Sequence, residues 1–276
     1  MADFVFKYGS RKQPKVRVIN SYDAWHDAFC KYDSPKHWRE GRSAQSLAAD
    51  FSLPDGTGRE MLVRLIEQVS GYTVTVPIEA CIEHESRLDD FRGTARMQDL
   101  AVFGKLSNNQ TFFVGVEAKV DETFDETIGE KAKTIAKYKI NHHTTQQHNR
   151  LMNLVEDFFH VKIDRDGFPE LSDIDSKTKE LRYQLLYYLA GSFRENADVI
   201  FMPVVVYKSN GCKYECYDLE TGKANQKDYF NFIDSLGFTE FKNVRLEEQT
   251  IPVFSAQITD AKTNISKTIF TCYIVK

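Results

Sequence analysis

The sequence predicts an α/β domain with a mixed central β-sheet flanked by helices, plus an N-terminal helical elaboration. Three observations carry this. A helix-patterned stretch at 59–69 is followed by three strand-patterned stretches within 72–120. Helical periodicity then dominates 127–160 and 178–196. Finally "DVIFMPVVVYKS" is a short continuous apolar run, the pattern of a strand covered on both faces.

The elements follow in order. "SYDAWHDAFCKY" spaces Tyr22, Trp25, Phe29 and Tyr32 as a helix does, and Ser43 caps a second helix. Trp38, Arg39 and Arg42 lie just before that cap; they suit a phosphate or partner contact, but a capped helix with solvated arginines is the favoured reading. Pro54, Gly56 and Gly58 mark a turn. Leu62, Leu65, Ile66 and Val69 form the apolar face of the next helix, which Gly71 stops. "YTVTVPIEACIEHE" is a strand with an irregularity near Pro77. "MQDLAVFGKL" and "TFFVGVEAKV" are two strands joined by "SNNQ". After the 198–209 strand come a helix, "QKDYFNFIDSLGF", and two strands, "TIPVFSAQIT" and "KTIFTCYIVK". The expected division is a helical elaboration at 1–53 and a main domain at 54–276, with a core at 56–207 and a C-terminal extension at 208–276, as one compact unit.

The 276 residues are 42% hydrophobic, enough for a real core. The net charge of −4 argues against a histone-like binder but not against a nucleic-acid enzyme with a local basic face. No apolar run is long enough to cross a bilayer, and the N-terminus lacks signal-peptide features, so a cytoplasmic protein with no membrane partner is expected. The five cysteines, Cys30, Cys81, Cys212, Cys216 and Cys272, are expected as free thiols; Cys212 and Cys216 lack the second ligand pair of a closed zinc site.

The chemistry concentrates in "FFVGVEAKV". Strand alternation sets Phe112, Val114, Val116, Ala118 and Val120 on the core face. Phe113, Gly115, Glu117 and Lys119 fall on the other, away from the core. In the preceding strand Met97, Asp99 and Ala101 share a face opposite Leu100 and Val102. Asp99 meets Glu117 only in an even register. A plain four-residue loop at 107–110 would oppose it to Ala118, so a three- or five-residue loop, or a bulge near Asp99, is expected. Two carboxylates on one face repel, and a hard cation such as Mg²⁺ relieves that. Lys119 beside it would orient or deprotonate water, or offset charge on an attacked phosphate.

These elements resemble the PD-(D/E)XK nuclease superfamily: Asp99 in "RMQDLAVFG" and Glu117-Ala118-Lys119 in "VGVEAKV", with Gln98 where the family's naming proline would stand. Gln184 and Tyr188 in "RYQLLYYLAG" resemble the Q-x3-Y element of the RecB-like branch. The resemblance implies a restriction-endonuclease-like core and Mg²⁺-dependent hydrolysis of DNA, with Mn²⁺ able to substitute. It also implies Asp99 and Glu117 as metal ligands, Lys119 as catalytic lysine, and Gln184 as a residue that positions the site or substrate. Glu60 would be the further ligand from the preceding helix; Glu67, Glu83 and Glu85 compete with it. Restriction, phage defence or repair would fit. So would a homodimer, or a helicase, methylase or ATPase partner. An inactive nucleic-acid-binding or interaction protein of the same fold, or an RNA nuclease, is the alternative. Lys131, Lys133 and Lys137, with Tyr188, are the expected nucleic-acid contacts. Among His142, His143 and His148 no carboxylate or cysteine partner for a metal is evident.

Overall fold

The computed structural model describes residues 3–276 apart from 34, 37, 40–41, 53–56, 90, 92–95, 121, 141–145, 165, 167, 209–218 and 247–248. The expectations for Pro54, Gly56, His142, His143, Cys212 and Cys216 lie outside the described residues. Cys30, Cys81 and Cys272 are free thiols.

The strands are β1 (Phe4–Gly9), β2 (Pro14–Ile19), β3 (Val74–Ser86), β4 (Arg96–Leu106), β5 (Thr111–Lys119), β6 (Val199–Val206), β7 (Thr239–Arg245), β8 (Thr250–Asp260) and β9 (Ile265–Val275). The helices are α1 (Tyr22–Tyr32), α2 (Ser43–Ser52), α3 (Gly58–Ser70), α4 (Ile128–Ile140), α5 (Gln147–Phe159), α6 (Ser176–Glu180), α7 (Tyr183–Phe193) and α8 (Leu219–Ser235). All the strands join one mixed sheet, in the order β2-β1-β3-β4-β5-β6-β9-β8-β7. The expected mixed sheet flanked by helices is therefore present.

Two apolar layers sandwich the sheet. On one side Trp25, Phe29, Leu47, Phe51, Leu62 and Leu65 of α1–α3 pack with Val114, Val116 and Ala118 of β5. On the other, residues of α4, α5, α7 and α8 pack with Phe113, Met202 and Val204. This corrects the expectation that one face of β5 turns from the core. β5 runs between β4 and β6 in mid-sheet and is covered on both faces.

The N-terminal region is not wholly helical. "FVFKYG" and "PKVRVI" alternate with period two, pair with each other and dock β1 parallel to β3. Phe6 and Tyr8 go under the helices, while Lys7 pairs with Glu79 on β3. β7 was also unforeseen: only Val244 of its residues is buried, as befits a polar edge strand. The single helix expected at 178–196 is two. α6 ends at Glu180 because residues 181–183 hydrogen-bond to the start of α4 and the residues just before it: Ile128 N–H donates to the Leu181 carbonyl (2.8 Å) and Tyr183 N–H to that of Glu126 (3.0 Å). Gly71 ends α3 at φ 77°, and its N–H donates to the Glu67 carbonyl, as the stop signal predicted. The β3 irregularity near Pro77 is present as a register shift between Thr75 and Glu79.

Candidate active site

Glu117 and Lys119 occupy the last residues of β5 and are almost completely enclosed, 1% and 6% exposed. Their charged ends are 3.1 Å apart. The Gln184 amide donates to the same Glu117 Oε1, and its own Oε1 accepts the Asp125 N–H at 3.1 Å. The break between α6 and α7 makes this possible. The pairing of 181–183 with 126–128 brings the first turn of α7 over the end of β5. Lys119 Nζ also lies 5.5 Å from the centre of the Phe124 ring. Burial works to lower the Lys119 pKa, but the carboxylates of Glu117, Glu122 and Asp99 outweigh it and hold the ammonium above its ordinary value.

Asp99 arrives by the even register. Lys105 opposes Thr111 and Leu100 opposes Val116, so five residues, 106–110, span the turn. Leu106 N–H donates to the Gln110 carbonyl, and Asn109 takes a left-handed φ of 68°. One step beyond the last paired residues Asp99 falls opposite Glu117. There the ladder gives way: Asp99 Oδ2 accepts the Ala118 N–H at 2.8 Å, in place of a backbone carbonyl.

The alternation of β4 also breaks at this point. Leu100 packs on the α1–α3 side, whereas Gln98, two residues away, reaches Ser192 of α7 on the other side. Ala101 lies in the α4–α8 layer, so the expected shared face of Asp99 and Ala101 is corrected: Met97 and Asp99 line a cleft beside Trp25 and Phe29. The irregularity extends to β3, where Glu83, between the pairs Ile82–Leu100 and His84–Gln98, has φ 51°. Glu83, Asp99 and Glu117 thus lie abreast on three adjacent strands.

The cleft has a volume of about 690 Å³. Asp99, Glu117, Lys119 and Gln184 line it from the sheet and α7, with Glu83 and Glu122 beside them. Lys36, Arg39 and Arg42, from the connection between α1 and α2, line it from the helical side. Among the described residues no three His, Cys, Asp or Glu side chains are grouped closely enough to cage a metal.

Of the competing third carboxylates only Glu83 reaches the cleft. Glu60 lines a separate cavity with Arg64 and Lys276, because its position on α3 turns it toward the C-terminal strand; its expected role as a ligand here is corrected. Glu67 accepts the Val74 N–H at 2.9 Å, and Glu85 is exposed. Tyr188 is buried, and its hydroxyl lies within hydrogen-bonding distance of the carbonyls of Gly115 (2.6 Å) and Pro203 (3.1 Å). It clamps β5 to β6 and is out of a nucleic acid's reach, a second correction. Lys131 is held by Glu126 at 3.3 Å. Lys133 and Lys137 are exposed on α4, outside the cleft lining. Besides Lys119, the cations that line it among the described residues are Lys36, Arg39 and Arg42, and their signal in the sequence was the basic flank of Trp38. That indole packs on Tyr22, His26 and Phe29 with ring centres 5.2–5.7 Å apart, pinning the connection against α1.

The chain belongs to the family described as a domain of unknown function, DUF6946, whose model matches residues 18–262. No curated protein and no solved structure matches it.

Proposed function

We propose that this member of the DUF6946 family is a Mg²⁺-dependent nuclease, with DNA as its substrate and a restriction-endonuclease-like core. One observation carries the reading: Asp99, Glu117, Lys119 and Gln184, from β4, β5 and α7, converge in one cleft. The element order α3, β3, β4, β5, α7, β6 supports the core assignment, with α4–α6 as an insertion.

The donor set fits a hard cation. Mg²⁺ commonly takes one or two carboxylates and completes its shell with water and substrate phosphate, so a caged cluster of three is not required. Asp99 and Glu117 would hold it, with Glu83 in reserve. When bound, it supplies Lewis-acid polarisation of a phosphoryl oxygen and a water ionised near neutral pH.

The protein's own groups do the rest. Gln184 fixes the Glu117 carboxylate by a hydrogen bond and is itself fixed by the Asp125 N–H. The Ala118 N–H orients Asp99. Lys119 contributes a positive charge beside both carboxylates, where it offsets negative charge developing on an attacked phosphate. The water oxygen bonds to phosphorus, the bond from phosphorus to one sugar oxygen breaks, and that oxygen leaves with a proton.

The test is cleavage of supercoiled, linear and single-stranded DNA, and of RNA, in Mg²⁺, Mn²⁺ or EDTA, with Asp99→Asn beside the unaltered protein. Metal-dependent cutting lost in the variant is the expected result, and the substrate cut separates DNA from RNA. A folded protein that binds strands and cuts none would be a binding module of the same fold.

A further inference from the structure

We infer that Lys36, Arg39 and Arg42 form the substrate-gripping wall of the cleft, and that its ligand is a single nucleic-acid strand. The choice of ligand rests on the phosphodiesterase reading above. The wall itself rests on geometry that reading does not use.

These three cations come from the α1–α2 connection, outside the α3–β6 core, yet they line the cavity that holds Asp99 and Glu117. Trp38 packs against α1 beside them, and the N–H of Arg42 donates to the Arg39 carbonyl at 3.0 Å, which ties the two arginines together. Both arginines are exposed. Lys119, the fourth cation of the cleft, is spent on Glu117. A polyanion entering a cavity whose sheet side carries Glu83, Asp99, Glu117 and Glu122 needs compensating charge. The helical wall is where this cavity has it.

The volume suits a strand. About 690 Å³ is in the range that encloses a drug-sized ligand and gives room for one or two nucleotides. α1 and α2 close the cleft from above: Trp25, Phe29 and Leu47 line it as well as packing against the sheet. A strand, or a frayed end, enters between the basic turn and β5. Its phosphates face Arg39 and Arg42, whose planar guanidinium groups grip phosphate oxygens in pairs.

The experiment is fluorescence anisotropy of a labelled single-stranded oligonucleotide and of its duplex, in EDTA and again in Ca²⁺, across a salt series. The proteins are the unaltered chain, Arg39→Ala/Arg42→Ala, Arg39→Lys/Arg42→Lys and Lys133→Ala/Lys137→Ala. The expected result is tighter binding of the strand than of the duplex, and a loss of about tenfold or more in the alanine pair. The log–log salt slope should fall by roughly 1.4, at ~0.7 per lost phosphate contact. The lysine pair should retain the slope, and the α4 variant should bind as the unaltered protein does. Unchanged binding by a folded arginine-to-alanine pair overturns the inference, as does no strand binding in either buffer or a preference for duplex. Cleavage separates the two readings. Metal-dependent cutting with arginine-independent binding sinks this inference and leaves the nuclease standing. Arginine-dependent strand binding with no cutting does the reverse.

Discussion

The Gln184 side chain donates to Glu117 and accepts from the Asp125 N–H, so one amide on α7 ties the carboxylate at the end of β5 to the segment that follows it. Both of its polar atoms are used, and both partners are local to the cleft. Gln184→Leu, close in size, leaves Glu117 with Lys119 and leaves the Asp125 N–H without this acceptor. Denaturant unfolding should register a loss of about 1–3 kcal/mol, the cost of stripping a buried group of its partner. Cleavage should fall further than stability does, because the carboxylate loses its fixed orientation.

On the proposed reading, metal affinity should distinguish the carboxylates. Titration calorimetry with Mn²⁺ should show binding abolished in Glu117→Gln and Asp99→Asn and weakened in Glu83→Gln. Glu60→Gln should bind as the unaltered protein does, since Glu60 lines a different cavity. Metal binding lost in Glu60→Gln and kept in Asp99→Asn would refute this arrangement.

The back of β5 is as constrained as its front. A Cβ on Gly115 would come within 3.1 Å of Gln98 Oε1 and of Ser192 Oγ, and 3.2 Å of the Phe113 ring. Gly115→Ala should therefore destabilise by about 1–3 kcal/mol through overpacking. Tyr188→Phe removes the hydroxyl that clamps β5 to β6 and should cost about 1 kcal/mol. Thermal melting of each variant checks both values. A stabilised Gly115→Ala would mean that Gln98 and Ser192 yield freely.

Stability should also carry an acid-side signature away from the site. Burial, then the neighbouring Asp260, pushes the Asp157 pKa up to about 6, against the opposing pull of Arg194 and Lys262. The folded chain thus holds this proton more tightly than the unfolded chain does. The group destabilises the fold progressively as pH rises from about 4 to about 6, and above that the full cost is present. Asp157→Asn should remove that slope, so the variant gains on the unaltered protein at pH 7 and loses the gain near pH 4. Melting temperatures across that range decide it; parallel curves would exclude the effect.

The sequence made the cleft's sheet side legible because strand alternation and hairpin arithmetic are local rules. Alternation along β5 picks out Glu117, and Asp99 meets it only if the turn departs from a plain four-residue loop. The even register they required is present, with five residues from Leu106 to Gln110. Face assignment failed at Asp99 because alternation holds only while the ladder is regular, and Glu83 with its positive φ interrupts it. The helical side was legible only as a basic flank that suits two readings. Arg39 and Arg42 meet the cleft through the packing of Trp38 on α1, a tertiary contact with no periodicity to announce it. Glu60 misled because a carboxylate at the start of α3 looks alike whichever way that helix is rolled on the sheet. β1 and β2 were missed although they alternate, since the stronger aromatic spacing of α1 dominated the reading of that region.

The order of strands in the sheet has a consequence for biosynthesis. β5 is flanked by β4, already made, and by β6, which begins only at Val199 and is itself closed by β9 at 265–275. A ribosome that has released β5 has released Asp99, Glu117 and Lys119, but not Gln184, Tyr188 or the strand they brace. The nascent chain therefore carries the reactive groups before it has their scaffold, and closure waits for contacts distant in sequence.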